Sequence, residues 1–91
     1  MNLSDIIFIE SFPSLDLHGC DRDYARLKIN EFVDDNVVIG NEFLVVVHGI
    51  GTGVLMGVTS DTLKKNKKVI EYQLFRGNAG CTIVKIVKKR K

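Results

Sequence analysis

This 91-residue sequence has no tryptophan, one proline and two cysteines, and it contains no apolar stretch long enough to cross a bilayer. The two cysteines, Cys20 and Cys81, form neither a CxxC motif nor a disulfide-rich pattern, so we expect reduced thiols in a cytoplasmic protein. The N-terminus lacks a basic segment followed by an apolar run and a cleavage site. We therefore do not expect a secreted or membrane-bound protein.

What is present is the composition of one small globular domain, with 45% hydrophobic and 26% charged residues. The charge is unevenly distributed. Residues 1–60 contain three Lys or Arg against nine Asp or Glu, whereas residues 61–91 contain ten against two. This asymmetry indicates a polyanionic partner, and a solvated helix end with a soluble tail is the alternative interpretation. The basic residues concentrate in two clusters: Lys64, Lys65, Lys67 and Lys68, then Lys85, Lys88, Lys89, Arg90 and Lys91.

The sequence divides into an N-terminal arm at residues 1–12, a domain at 13–88 and a basic tail at 89–91. The arm contains the apolar run Ile6 to Ile9, which is too hydrophobic to be left fully in water. We expect the arm to pack against the domain or to contact a partner, for example in a dimer.

Hydrophobic periodicity predicts the element order βαβαββ. The core-facing positions predicted for the two helices are Ala25, Ile29, Phe32 and Val33, then Val54, Leu55, Val58 and Thr62. Asp21 and Thr52 are the predicted helix N-caps. The predicted strands are 14–18, 43–47, 69–75 and 81–87. The predicted helices are 22–36 and the segment after Thr52 to about 66. Residues 76–80 are predicted to form a loop.

Both histidines of the chain follow a predicted strand and precede a glycine. If the first two strands are parallel, as a strand–helix–strand unit implies, His18 and His48 lie at the same edge of the sheet. Asp16, two residues before His18, points the same way because side chains alternate along a strand. The sequence thus predicts one carboxylate and two imidazoles at one rim, where ligands of open α/β sheets collect.

A glycine-rich loop follows His48 and leads into the second helix. Gly49, Gly51 and Gly53 allow close backbone approach, and the helix N–H groups favour an anion, so these glycines and Thr52 form a candidate phosphate-binding loop. One histidine would act as general base on a water or a ribose hydroxyl, and the other as general acid on the leaving oxygen. The alternatives are structural histidines, an Asp16 that only caps the turn, and a His-His-Asp site for a divalent metal.

Three motifs together resemble the Smr (small MutS-related) family. Leu15 to Gly19 is similar to the LDLHG signature, His48 to Leu55 to HGxGTGxL, and Gly77 to Val84 to a glycine-rich turn with a TxV strand. The resemblance spans residues 13–88 and implies a two-layer α/β sandwich similar to the C-terminal domain of translation initiation factor three, with a mixed four-stranded sheet and two helices. It also implies nucleic-acid binding and, in many members, endonuclease activity on DNA or RNA. Matched by position, the functional residues are Asp16, His18 and His48.

The sequence departs from the family pattern at Ile50, where many members have lysine, at Met56, where arginine is frequent, and at Asn78-Ala79, which replaces a glycine pair. No Walker motif is present. Our leading hypothesis is a stand-alone Smr domain that cleaves phosphodiester bonds, with Lys64, Lys65, Lys67 and Lys68 holding the flanking backbone. The alternative is a non-catalytic module that binds DNA, RNA or the ribosome in repair or translation quality control.

Overall fold

The computed structural model describes residues 2–88, so the predicted basic tail at 89–91 lies outside the described residues. The observed element order confirms the predicted βαβαββ arrangement, preceded by one short turn. The elements are a 3-10 turn at Leu3–Asp5, β1 (Ser14–Asp16), α1 (Arg22–Ile39), β2 (Phe43–Val47), α2 (Val54–Lys65), β3 (Val69–Phe75) and β4 (Asn78–Ile86).

The four strands form one mixed sheet in the order β1-β2-β4-β3. β1 and β2 are parallel, with Asp16 opposite Val47, whereas β4 is antiparallel to both β2 and β3. The predicted two-layer α/β sandwich is therefore confirmed. Because β1 and β2 run in the same direction, their C-terminal ends open onto the same edge of the sheet.

The main core lies between the sheet and the two helices. The predicted α1 stripe is confirmed, since Ala25, Ile29 and Val33 are buried and Phe32 packs against them. In α2 the prediction was wrong at Val54, which is 40% exposed because it is the first helical residue and precedes the turn that contacts the sheet. The buried members of this core are Leu17, Ala25, Ile29, Val33, Leu44, Val46, Val58, Leu63, Val84 and Ile86.

The N-terminal arm covers the opposite face of the sheet. Leu3 and Ile6 are buried in a second cluster with Ile83 of β4. The rings of Phe12 and Phe43 join the arm to β2 with their centroids 5.7 Å apart. The arm therefore packs against the domain through Leu3 and Ile6.

The ends of α1 and β1 differ from the predictions. α1 continues three residues beyond the predicted end, to Ile39, and stops where Gly40 adopts a left-handed φ of 97° and its N–H donates to the Asn36 carbonyl. β1 ends at Asp16 rather than at residue 18, although the Leu17 N–H still donates to the Val47 carbonyl over 2.9 Å.

The predicted loop 76–80 is shorter than expected. β4 already begins at Asn78, which pairs with Phe75, so only Arg76 and Gly77 connect the two strands. The glycine-rich composition indicated a loop, but Ala79 and Gly80 continue the strand, and the Gly80 carbonyl accepts from the N–H groups of His48 and Gly49. Among the described helices, none is long and apolar enough to cross a membrane.

Candidate active site

Asp16 and His18 lie exposed at the end of β1. The Asp16 carboxylate accepts a hydrogen bond of 2.8 Å from the His18 backbone N–H, which fixes the turn after the strand. Together with His48 they line one open cleft of about 260 Å³, completed by Gly19, Val47, Gly49 and Leu55. The structure thus brings together the carboxylate and the two histidines that the sequence places at one rim.

His48 differs from His18 in being buried, with 7% of its surface exposed. Its Nδ1 lies 2.8 Å from the Gly49 carbonyl oxygen, and its Nε2 lies 2.8 Å from the Thr82 hydroxyl. Because a carbonyl oxygen only accepts, we assign the ring proton to Nδ1, and the Thr82 hydroxyl donates to Nε2 in the neutral imidazole. Both ring nitrogens of His48 are therefore engaged inside the protein.

Thr82 is a member of the site that the sequence reasoning missed. It lies 34 positions from His48 and reaches it because β2 and β4 pair in register. The carbonyl of Gly80, on the same strand, accepts from the N–H groups of both His48 and Gly49. The threonine of the TxV segment is the available signal, but its spacing alone does not pair it with His48.

Gly80 permits the close approach of β4 to the glycine-rich loop. A Cβ at this position would lie 3.3 Å from the Gly49 Cα and 3.2 Å from the Asn78 Oδ1. The Asn78 Oδ1 accepts a hydrogen bond of 2.8 Å from the Gly80 N–H. This asparagine, which departs from the family's glycine pair, thereby fixes the start of β4 against the loop.

The glycine-rich loop forms a concave surface lined by residues 48–56 at the start of α2. Gly49, Gly51 and Gly53 all have positive φ values, of 75°, 27° and 83°. This conformation is rarely adopted by residues with a Cβ, so the loop shape depends on glycine. The surface adjoins the cleft of Asp16 and His18, because His48, Gly49 and Leu55 line both.

The predicted N-cap at Thr52 was wrong. The cap position is Gly53, whose left-handed backbone starts the helix one residue later, and no side chain caps α2 there. The Thr52 hydroxyl accepts only a long contact of 3.4 Å from the Val54 N–H. The first N–H groups of α2 have no partner within the helix, so they are available to an anion in the concave surface.

The four predicted backbone-binding lysines lie at the other end of α2 and in the turn after it: Lys64, Lys65, Lys67 and Lys68. The helix has 12 residues, so they lie roughly 18 Å from the glycine-rich loop. Lys65 pairs with Asp61 over 3.2 Å, and Lys68 pairs with Asp34 of α1 over 2.6 Å. The structure therefore places these lysines on a separate surface from the cleft.

Cys81 lies buried beside the rim. Burial raises the pKa of its thiol, and the negative charge of Asp16 raises it further. Both effects favour the neutral thiol, which is a weaker nucleophile than the thiolate. Cys20 and Cys81 are both free, as predicted.

Within residues 2–88, no three His, Cys, Asp or Glu side chains converge as metal ligands. The Asp16 carboxylate and the His18 ring are exposed at the cleft, whereas both His48 nitrogens already have protein partners. A divalent metal at the cleft would thus find at most these two side chains as free donors.

The family model described as the Smr domain matches residues 15–87. Among curated proteins, the chain is 40% identical over 75 residues to Endonuclease MutS2 of Clostridioides difficile, which covers 79% of this chain and 10% of that protein. It is 39% identical to Endonuclease MutS2 of Clostridium perfringens, with coverage of 82% and 10%. The chain therefore spans about a tenth of the length of the curated relatives it matches.

Two solved structures share the fold. The Smr domain of Thermus thermophilus MutS2 superposes with a TM-score of 0.79 at 26% identity, covering 82% of this chain and 98% of that one. YdaL, a stand-alone small MutS-related protein from Escherichia coli, gives a TM-score of 0.71 at 18% identity, with coverage of 88% and 70%. At 18% identity, the similarity to YdaL shows a shared fold only.

Proposed function

This chain belongs to the Smr domain family, and from that premise we propose that it binds nucleic acid and cleaves phosphodiester bonds at the end of β1 and β2. One observation carries the proposal. The exposed pair Asp16 and His18 lies in a cleft that shares His48 and Gly49 with the concave glycine-rich loop. A proton-transfer group and a candidate phosphate cradle are thus adjacent.

The loop supports binding of one phosphate. Gly49, Gly51, Thr52 and Gly53 present their backbone to the concave surface, and the uncapped start of α2 supplies N–H donors and the positive end of the helix dipole. No fixed cation is needed for this contact, which agrees with the apolar Ile50 and Met56 at positions where many family members are basic.

The chemistry we propose uses His18 as the group that exchanges protons with the substrate. Its imidazole accepts the proton of an attacking water or ribose hydroxyl while that oxygen bonds to phosphorus, and the bond to the leaving oxygen breaks. The leaving oxygen takes its proton from water in the open cleft. Asp16 orients the turn that carries His18 by accepting a hydrogen bond from the His18 backbone N–H.

We assign His48 a positioning role in the same reaction. Its Nδ1–H holds the Gly49 carbonyl, and Thr82 holds its Nε2, so the ring fixes the first residue of the phosphate loop. Direct proton transfer by His48 would require one of these two bonds to break. The internal bonds therefore favour His18 over His48 as the residue that exchanges protons with substrate.

The lysine surface extends the proposed binding site. The surface lies roughly 18 Å from the glycine-rich loop, so it could hold the backbone several nucleotides away from the phosphate on the loop. Lys64 and Lys67 are exposed, and among the described residues neither is in an ion pair, so they are the lysines best placed to hold the flanking backbone.

The direct test is a nuclease assay with supercoiled DNA, single-stranded DNA, structured RNA and ribosome-bound RNA. We expect the wild-type protein to cleave at least one of them, and Asp16→Asn and His18→Ala to lose that activity. Cleavage that persists in both variants would contradict the assignment. Adding EDTA decides whether a divalent metal takes part.

The alternative is a binding module without turnover. Ile50 favours it, because this side chain is 63% exposed at the tip of the loop where many family members have lysine. Salt-sensitive binding without cleavage of any of the four substrates would select this alternative, in which repair proteins or the ribosome are the expected partners.

A dimer through the arm remains part of the proposal. Leu3 and Ile6 are buried, but Ile7 and Phe8 are 74% and 75% exposed. Sedimentation of the wild type and of an Ile7→Ser/Phe8→Ser variant tests this, because the pair can be changed without removing the buried residues of the arm. A wild-type mass equal to that of the variant and of a monomer would contradict a dimer.

A cytoplasmic location is proposed on the two free thiols.

A further inference from the structure

A groove of about 370 Å³ lies between α2 and the edge strand β3. One wall is formed by the α2 residues Met56, Gly57 and Ser60, and the other by Tyr72 and Leu74 of β3. Its volume lies within the range of small-molecule sites. The residues that line it are Gly53, Met56, Gly57, Ser60, Tyr72, Gln73, Leu74 and Thr82.

The groove exists because α2 presents small residues to β3. A Cβ built on Gly57 meets no heavy atom within 4 Å, so the helix leaves open space at this position. Leu74 remains 44% exposed and Tyr72 is half-buried, which leaves an aromatic ring and an apolar side chain at the surface of an edge strand.

The groove is continuous with the candidate phosphate loop. Gly53 and Met56 line both the concave surface at the start of α2 and the groove. Thr82, which holds His48, lines the inner end of the groove. A nucleotide with its phosphate on the glycine-rich loop would therefore have the groove directly beside it.

We propose that this groove binds the base of the nucleotide whose phosphate lies on the glycine-rich loop, an inference that rests on the function proposed above. The Tyr72 ring offers a stacking surface for a base, and Met56 and Leu74 offer apolar contact. The Ser60 hydroxyl can hydrogen-bond with the base edge, whereas the Thr82 hydroxyl proton is already donated to His48 Nε2.

A base inside a duplex cannot enter such a groove, because its faces are covered by its neighbours. The proposal therefore predicts a preference for single-stranded or locally unpaired nucleic acid. It also gives Met56 a function, since an apolar side chain suits contact with a base better than an arginine directed at phosphate would.

The test compares binding of a ten-nucleotide oligothymidylate with binding of the same sugar–phosphate chain without bases, measured by fluorescence anisotropy. We expect the wild type to bind the base-containing strand about 5- to 150-fold more tightly, the range that stacking of one base gives. Tyr72→Leu, which keeps the apolar volume, should lose most of this difference. Tyr72→Phe, which keeps the ring, should retain it.

Because Tyr72 also packs against the main core, a second pair of variants avoids it. Gly57→Leu fills the groove from the helix side while Tyr72 itself is unchanged, whereas Gly57→Ala leaves most of the space open. Replacing glycine inside a helix raises helix propensity, so neither variant should melt below the wild type. We expect Gly57→Leu to bind both strands equally and Gly57→Ala to resemble the wild type.

The outcomes separate the two proposals. If the wild type bound the two strands equally, phosphate binding would stand and the base site would be wrong. Undiminished preference for the base-containing strand in folded Gly57→Leu and Tyr72→Leu would also overturn the base site. If the wild type bound neither strand but cleaved one of the nuclease substrates, the base site would be wrong and the proposed function would stand. If it bound neither strand and cleaved none of the substrates, the proposed function would itself be wrong.

Discussion

The two histidines occupy the same place in the local sequence and opposite places in the fold. Each follows a β-strand and precedes a glycine with positive φ. His18 follows the edge strand β1 and is exposed, whereas His48 follows β2, an inner strand between β1 and β4, and is buried. The comparison teaches that sheet order, rather than the local motif, decides which histidine is free to meet a substrate.

The largest expected effect is that of His18→Ala on cleavage. Loss of a general acid–base group lowers the rate by about 10²- to 10⁴-fold. The free energy of unfolding should change by less than about 0.5 kcal/mol, because the side chain is exposed and has no hydrogen-bond partner among the described residues. Single-turnover cleavage and urea unfolding on the same preparation check both halves. A large loss of stability in His18→Ala would contradict the view that His18, unlike His48, has no structural role.

His48→Ala, in contrast to His18→Ala, should reduce the free energy of unfolding by about 2–4 kcal/mol. The variant leaves a cavity and removes the partners of the Gly49 carbonyl and the Thr82 hydroxyl. Urea unfolding with His18→Ala as the control measures this difference. Equal stabilities of the two variants would show that the burial of His48 has no energetic consequence.

Thr82→Val should cost about 1–2 kcal/mol, because the shape is kept and only the partner of His48 Nε2 is lost. Thr82→Ser restores the hydroxyl and should recover most of the stability and of the cleavage rate. If Thr82→Ser behaved like Thr82→Val, the methyl group rather than the hydrogen bond would be the important feature.

The smallest expected effect concerns the lysine surface. Lys64→Gln and Lys67→Gln should each reduce the slope of log binding constant against log salt by about one if these residues contact phosphate. Lys28→Gln on α1, where the ammonium lies over the Tyr24 ring, is the matched control and should leave the slope unchanged. Identical slopes for all three variants would show that Lys64 and Lys67 do not contact phosphate.

Much of the fold could be predicted from the sequence, because burial imposes its periodicity locally. The α1 stripe of Ala25, Ile29 and Val33 repeats at helical spacing, and the wholly apolar β2 indicates an inner strand. The loop predicted at 76–80 was right at Arg76 and Gly77 but too long. The composition of the residues after them suggests a loop, and only pairing with β3 makes Asn78 part of a strand.

The candidate site was predictable only in its outline. That Asp16, His18 and His48 share a rim follows from parallel β1 and β2, which the strand–helix–strand order indicates. The bond from His48 to Thr82 depends on the β2–β4 register, which no local pattern specifies. The start of α2 at Gly53 rather than Thr52 likewise depends on the backbone conformation of the loop.

The most direct measurement of the division between the two histidines is the ring tautomer by ¹H–¹⁵N NMR at a pH where both are neutral. We predict that His48 is held as the Nδ1–H tautomer, with a ring proton protected from exchange by its bond to the Gly49 carbonyl, while the His18 ring proton exchanges rapidly with water. A His48 ring in the Nε2–H tautomer, or one that exchanges as fast as His18, would contradict the account.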